Sequence, residues 1–204
     1  MVAVWIKSKW RSMTKIFVET IPTIFTCCDT LLVAEDVASA ARFQNERRRC
    51  EHLAWRRIVR RELGRDVHIS YNEVGAPKVD KDNIYISVSH CRDAVAVAIA
   101  DCCIGIDIES LDRDFERVKE RYMCDSEMAL CTDKNWAAYA WIAKEAMYKL
   151  YGKQGVELRE ELIIESFDQA TLTLHGRLNN SNVARVEISL YDNTAVAVAT
   201  LEDN

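Results

Sequence analysis

Hydrophobic and polar positions along the chain settle into two periods, and the two most informative stretches differ in which one they follow. Ile104, Ile106 and Ile108 alternate with Gly105, Asp107 and Glu109. That is the period of a strand, with isoleucines on one face and two carboxylates on the other, beside a glycine that admits a close approach. Residues 134–151 instead follow a helical period, with Gly152 as the stop signal. Ala138, Trp141 and Ile142 open an apolar stripe which, continued by helical spacing, runs into Glu145 and Lys149. A carboxylate and an ammonium therefore stand where core-facing side chains are expected.

Elsewhere the pattern predicts a helix over residues 42–63, its apolar face made by Leu53, Trp55, Ile58, Val59 and Leu63, with Gly64 after it. Strands are predicted over 67–71, 83–89, 94–100, 162–167, 170–174 and 183–190, with turns at 168–169 and 179–182. Residues 112–121 read as a polar helix presenting Phe115, Val118 and Tyr122 on one face, and 126–131 as a short helix. The first forty residues offer short β-branched stretches at Ile16-Phe17-Val18 and Ile24-Phe25-Thr26. Ala94-Val95-Ala96-Val97-Ala98 recurs as Ala195-Val196-Ala197-Val198-Ala199. The recurrence suggests an α+β chain of two similar halves joined near Cys102, with the isoleucine strand opening the second.

Composition narrows the class. With 204 residues, 49% of them hydrophobic and 29% charged, the chain has the make-up of a soluble globular protein. No apolar run reaches the ~20 residues that span a bilayer. The N-terminus interleaves Lys7, Lys9, Arg11 and Lys15 with Trp5, Trp10 and Phe17, and lacks the compact apolar core of a secretory signal. Eight cysteines, two adjacent pairs among them, show neither a disulfide framework nor zinc-ligand spacing, so free thiols in a reducing cytoplasm are expected. The net charge is −5, yet residues 42–65 carry nine arginines against Glu46, Glu51 and Glu62. Such asymmetry points to an anionic partner, or to a solvated arginine face.

Three carboxylates with a route to convergence, Asp107, Glu109 and Glu145, beside Lys144 and Lys149, suit a hard cation handling phosphate. The same residues fit a wet strand face and an ordinary i,i+4 pair on a helix surface, and spacing alone does not choose between these readings. No Gly-rich phosphate loop of the G-x-x-x-x-G-K or G-x-G-x-x-G kind is present, nor any ribonucleoprotein motif or zinc knuckle. A different magnesium-dependent phosphotransferase or hydrolase and a nucleic-acid-binding module built on the arginine helix are the rival classes.

Four elements in order decide more. Gly75-Ala76-Pro77, Ser89-His90, Gly105-Ile106-Asp107-Ile108-Glu109 and Trp141 through Lys149 resemble the G-x-P, S-H, G-[IV]-D-x-E and W-x-x-K-E-[AS]-x-x-K elements of the 4′-phosphopantetheinyl transferases. The length resembles the longer, single-chain branch that activates surfactin synthetase. One departure stands out: many members have Lys where this chain has Ala76, and here Lys78 follows instead.

The resemblance implies two similar α/β subdomains, residues 1–102 and 103–204, related by a pseudo-twofold axis, with coenzyme A in the cleft between them. It implies transfer of the 4′-phosphopantetheine arm from coenzyme A to a serine of an acidic acyl or peptidyl carrier protein, with release of 3′,5′-ADP. Mg²⁺ is the implied cofactor, held by Asp107, Glu109 and Glu145; Glu145 is alternatively the base that takes the serine proton. Lys144 and Lys149 would stabilise the pyrophosphate and the leaving group. Ser89, His90, Arg49, Arg56 and Lys78 would contact the phosphates of coenzyme A. A monomer is expected, with no membrane or nucleic-acid partner, and the 112–122 helix, extended to Met123, as the carrier dock.

Overall fold

The computed structural model describes residues 13–22, 29–179 and 182–202. The expected strand at Ile24-Phe25-Thr26 and the basic N-terminal residues up to Arg11 lie outside them. Ten strands and four α-helices form a mixed α+β architecture among the described residues. Strands β1 (Thr14–Thr20), β4 (Tyr85–His90) and β5 (Ala94–Ala100) make an antiparallel sheet in the order β1-β5-β4. Strands β6 (Ile104–Ser110), β7 (Leu162–Asp168), β8 (Thr173–Leu178), β9 (Asn182–Tyr191) and β10 (Thr194–Leu201) make a second, ordered β6-β10-β9-β8-β7. A small hairpin, β2 (Ile69–Tyr71) with β3 (Pro77–Val79), carries the Gly75-Ala76-Pro77 turn.

The two copies of the Ala-Val repeat are inner strands of different sheets, and their faces are used in opposite senses. In β5 the large residues Val95, Val97 and Ile99 pack with Trp55, Ile58 and Val59 of the arginine-rich helix α2 (Glu46–Leu63). Its alanines 96, 98 and 100 turn to the other side, where they meet Ile104, Ile106, Ile108, Val196 and Val198. In β10 the valines face this shared cluster, and Ala195, Ala197 and Ala199 face the helix α4 (Trp136–Tyr151). Alanine against isoleucine and valine lets two sheets interlock without a void. Ile106 and Ile108 are almost wholly buried there, each contributing about 1.5–3 kcal/mol.

Helix α4 lies unusually close to its sheet, and glycine is the reason. A Cβ on Gly105 would sit 1.9 Å from the Ala146 carbonyl oxygen, and one on Gly176 would meet the end of Met147 at 2.6 Å. The close approach that Gly105 permits is thus that of a helix backbone.

Local chemistry explains where the pattern misled. The strand expected at 170–174 starts at Thr173, because Asp168 folds the chain over. Its carboxylate accepts from the Ala170 N–H at 2.9 Å and the Thr171 hydroxyl at 2.8 Å, and Leu172 takes a left-handed φ of 50°. The helix expected at 112–121 is a 3₁₀ helix, Glu116–Arg121. Phe115, Tyr122 and Met123 are buried in the core around α4, and the Tyr122 hydroxyl donates to the Ala137 carbonyl at 2.9 Å. The carrier dock expected there loses its aromatic surface to the core, keeping only half-buried Val118 and exposed Arg121. The short helix α3 spans Asp125–Met128.

Helix α2 starts at Asn45, whose side chain accepts from the Arg48 N–H at 3.3 Å, and stops at Gly64 with φ of 111°. Six of its seven arginines, all but Arg49, find their anions within the chain. Arg56 and Arg60 close on Asp36 of the short helix α1 (Ala34–Ala40), each at 2.7 Å. Arg57 pairs with Asp29 at 2.8 Å and Arg61 with Glu19 and Glu62. Much of the anionic partner implied by the charge asymmetry is the protein's own N-terminal segment. No helix among the described residues is long and apolar enough to cross a membrane.

Candidate active site

Strands β4 and β6 are edge strands of different sheets, and serine side chains bridge them where backbone ladders would otherwise be. Ser87 Oγ accepts from the Ile106 N–H at 3.1 Å, and Ser89 Oγ donates to Asp107 Oδ1 at 2.7 Å. Helix α4 crosses this seam. Lys149 Nζ donates to the Ile106 carbonyl at 2.9 Å and to the same Asp107 Oδ1 at 2.8 Å. Asp107 is 5% exposed, and its second oxygen, Oδ2, is buried with no hydrogen-bond partner. An unsatisfied carboxylate oxygen in a buried position costs free energy unless something else meets it.

Two glutamates stand in the field of Asp107. Burial first, and then Asp107 itself, push the Glu145 carboxyl above its ordinary range, against the pull of Lys149. Glu109 is likewise pushed up by burial and by Asp107, while Arg113 opposes with its charge and a hydrogen bond, and the Trp141 indole donates another. Arg113 Nη1 lies 2.5 Å from Glu109 Oε1, and its guanidinium stacks over Phe115 and Trp141 at 5.0 and 5.2 Å. Among the described residues, no group of three His, Cys, Asp or Glu side chains is close enough as it stands to hold a metal ion.

His90 ends β4 at the mouth of the seam. Its Nε2 is 2.9 Å from Arg48 Nη1 and 3.7 Å from Glu51 Oε2. Desolvation holds the His90 pKa below its usual value; Glu51 opposes, while Arg48, Lys149 and Arg47 add to the depression. Glu51, with a side chain only 7% exposed, anchors both arginines, Arg47 at 3.0 Å and Arg48 at 3.2 Å. A cavity of about 250 Å³ opens along the seam between the Gly75-Ala76-Pro77 turn and the end of α4, where Tyr148, Lys149 and Lys153 line it. A neighbouring groove of about 570 Å³ adds Lys78 and Lys81.

The structure thus brings Ser89, His90, Asp107, Glu109, Glu145 and Lys149 to one seam and puts Lys78 at its edge. Three expected site residues, Lys144, Arg56 and Arg49, do not join them. Lys144 is fully buried on another face of α4, where its Nζ donates to the Tyr122 carbonyl, Glu127 and the Leu158 carbonyl at 2.5, 2.8 and 2.9 Å. With three acceptors for three protons, it has none left for a pyrophosphate. Arg56 is 1% exposed and committed to Asp36 and, at 3.4 Å, to the Tyr71 hydroxyl. Arg49 is half-buried, turned toward the Phe43 carbonyl at 3.4 Å. Arg47, Arg48 and Glu51 were available from helical spacing, since Glu51 stands one turn after both. No sequence pattern marked Arg113, because the residues after Glu109 form a turn.

A seam of acids and bases between two sheets, with a cavity leading into it, defines a polar site able to handle charged groups. Residues 103–199, which hold α4 and the second sheet up to Ala199 of β10, match the family model described as the 4′-phosphopantetheinyl transferase superfamily. The match supports the family that the motifs resemble. No curated protein matches the chain.

Proposed function

We propose that this protein transfers the 4′-phosphopantetheine arm of coenzyme A to a serine hydroxyl of an acyl or peptidyl carrier protein, releasing 3′,5′-ADP. The observation that carries the reading is the convergence of Ser89, Asp107, Glu145 and Lys149, from three separate motifs, on one seam beside a cavity. The reading treats residues 1–102 and 103–204 as subdomains of the longer, surfactin-synthetase-activating branch, with the nucleotide held between them.

Magnesium fits the donors. Asp107, Glu109 and Glu145 offer only hard oxygen ligands, Asp107 Oδ2 is buried without a partner, and both glutamates lie in the repulsive field of Asp107. These three residues would hold the ion, which when bound would neutralise phosphate charge.

The chain's own residues do the rest. Lys149, fixed by Ile106 and Asp107, keeps one N–H for a phosphate oxygen and places a positive charge beside the seam. In its alternative role, in place of holding the ion, Glu145 accepts the proton of the carrier serine as that oxygen bonds to the β-phosphorus. The P–O bond to 3′,5′-ADP then breaks, and the electron pair leaves with the nucleotide. Ser89 spends its own proton on Asp107 and so fixes that carboxylate. The 3′-phosphate falls to His90 with Arg47 and Arg48, replacing the expected Arg49 and Arg56. Lys78 lies beside the groove for the nucleotide.

The test is direct. Incubated with an apo-carrier, coenzyme A and Mg²⁺, the protein should add the mass of one phosphopantetheine arm to the carrier serine. No mass gain with any of several acyl and peptidyl carriers would sink the assignment.

A further inference from the structure

In the structure, Glu109 is paired with Arg113 and also accepts from the Trp141 indole, and it does not close with Asp107 and Glu145 into a group able to hold a metal ion as it stands. The guanidinium sits 2.5 Å from Glu109 Oε1, and its position is fixed a second way, by stacking on Phe115 and Trp141. Phe115 is buried and Trp141 belongs to α4, the helix that carries Glu145, so this cation is built into the wall of the site. The three carboxylates have two internal cations in their field: Lys149, bonded to Asp107, and Arg113, bonded to Glu109. A guanidinium and a divalent ion that both need Glu109 repel each other and compete for the same oxygen.

We propose that Arg113 is a resident counter-cation that holds Glu109 apart from Asp107 and Glu145 and yields it when a divalent ion enters, so that it sets the cation affinity of the cluster. This rests on the magnesium reading above and adds a residue to it. Arg113 is a positioning residue, since it acts through Glu109. Its exposed side chain makes the effect moderate: water screens a half-exposed charge, and the change in affinity should be about tenfold.

Equilibrium binding of Mn²⁺ to the purified protein without coenzyme A, followed by the loss of the free-ion paramagnetic signal, tests this apart from turnover. Arg113→Gln removes the charge and should bind Mn²⁺ about tenfold more tightly than wild type. Arg113→Lys keeps the charge but not the fork or the flat stack, and should fall between the two. Asp107→Asn should bind weakly whatever stands at 113. If Arg113→Gln and Arg113→Lys both bind as wild type does, or more weakly, while Asp107→Asn loses the ion, the role of Arg113 is overturned and the magnesium site survives. If wild type and Arg113→Gln alike bind no Mn²⁺ at millimolar concentration, the magnesium site falls and the inference falls with it. Circular dichroism of each variant separates a lost fold from a changed site.

Discussion

Lys144 and Lys149 stand on the same helix and belong to different kinds of structure. Lys144 is closed in completely, with Glu127 and two carbonyls taking its three protons, and Glu127 in turn accepts from the Cys124 and Ile164 N–H groups. Lys149 has two acceptors and an open side, facing a cavity. The same contrast separates two charge clusters of the molecule. Around Asp36, Arg56 and Arg60 both Asp36 oxygens are bonded, and nothing of the carboxylate faces solvent. Around Asp107 one oxygen is bonded twice, the other not at all, and two glutamates add their charge to its field. Burial and charge alone do not distinguish framework from site. The completeness of the carboxylate's own partner set does, even though Arg56 Nε beside Asp36 is buried without a partner.

Removing Asp36 should produce the largest effect on the fold. Two arginines would be left buried without their carboxylate, and breaking a buried pair by deleting one partner costs roughly 3–5 kcal/mol. Asp36→Ala should therefore show that loss in urea unfolding, while carrier labelling per folded molecule stays near wild type. A loss under 1 kcal/mol would mean that this cluster is not the framework its bonding suggests.

Asp107→Ala sharpens the contrast from the other side. The substitution loses the bonds to Lys149 and Ser89 but relieves the repulsion that raises Glu109 and Glu145, so stability should change by only about 1 kcal/mol. Turnover should drop roughly a thousandfold, as expected for a ligand lost from a carboxylate site. Should Asp107→Ala unfold as readily as Asp36→Ala, the two clusters are of one kind and the distinction fails.

His52 gives the framework cluster a pH signature. It lies 8% exposed, 3.0 Å from Ser39 Oγ, and burial, then Arg56, lowers its pKa from 6.5 to about 4. A histidine depressed in the folded state binds its proton better when unfolded. The stability it protects is whole above pH 6.5 and is lost as pH falls toward 4, by about 2–3 kcal/mol. In urea titrations at pH 7 and pH 4.5, wild type should lose more stability than His52→Gln, which does not titrate. Parallel losses would show that His52 is not held neutral.

What the sequence made legible follows the same division. The isoleucine strand, the α4 stripe and Ser89-His90 were readable because each is a short periodic segment whose polar exceptions stand out against it. Their convergence came from motif order, since it depends on β4 and β6 meeting as edges of different sheets, a long-range pairing that no local pattern encodes. Arg56 and Lys144 misled for one reason. Asp36 and Glu127, the carboxylates that consume them, are distant in sequence and sit in helices of seven and four residues, too short to show a period.

The smallest effect expected belongs to His90, and it tests whether the mouth of the seam is site or framework. His90 has Arg48 at 2.9 Å and Glu51 at 3.7 Å, a set anchored on one side by a nearly buried carboxylate and open on the other. If the 3′-phosphate of coenzyme A completes that set, it does so far from the scissile bond, and its contacts add binding shared by ground and transition states. His90→Ala should then raise the KM for coenzyme A ten- to a hundredfold, the worth of one charge-assisted hydrogen bond, and leave kcat nearly intact. Dephospho-coenzyme A, which lacks the 3′-phosphate, gives the sharper measure. Wild type should discriminate against it, and His90→Ala and Arg48→Ala should discriminate much less, because the group being read has lost its reader. Arg49→Ala should leave the discrimination where it was, since that arginine turns toward the Phe43 carbonyl. An unchanged ratio in both His90→Ala and Arg48→Ala would place the pair with Lys144 and Arg56, as framework.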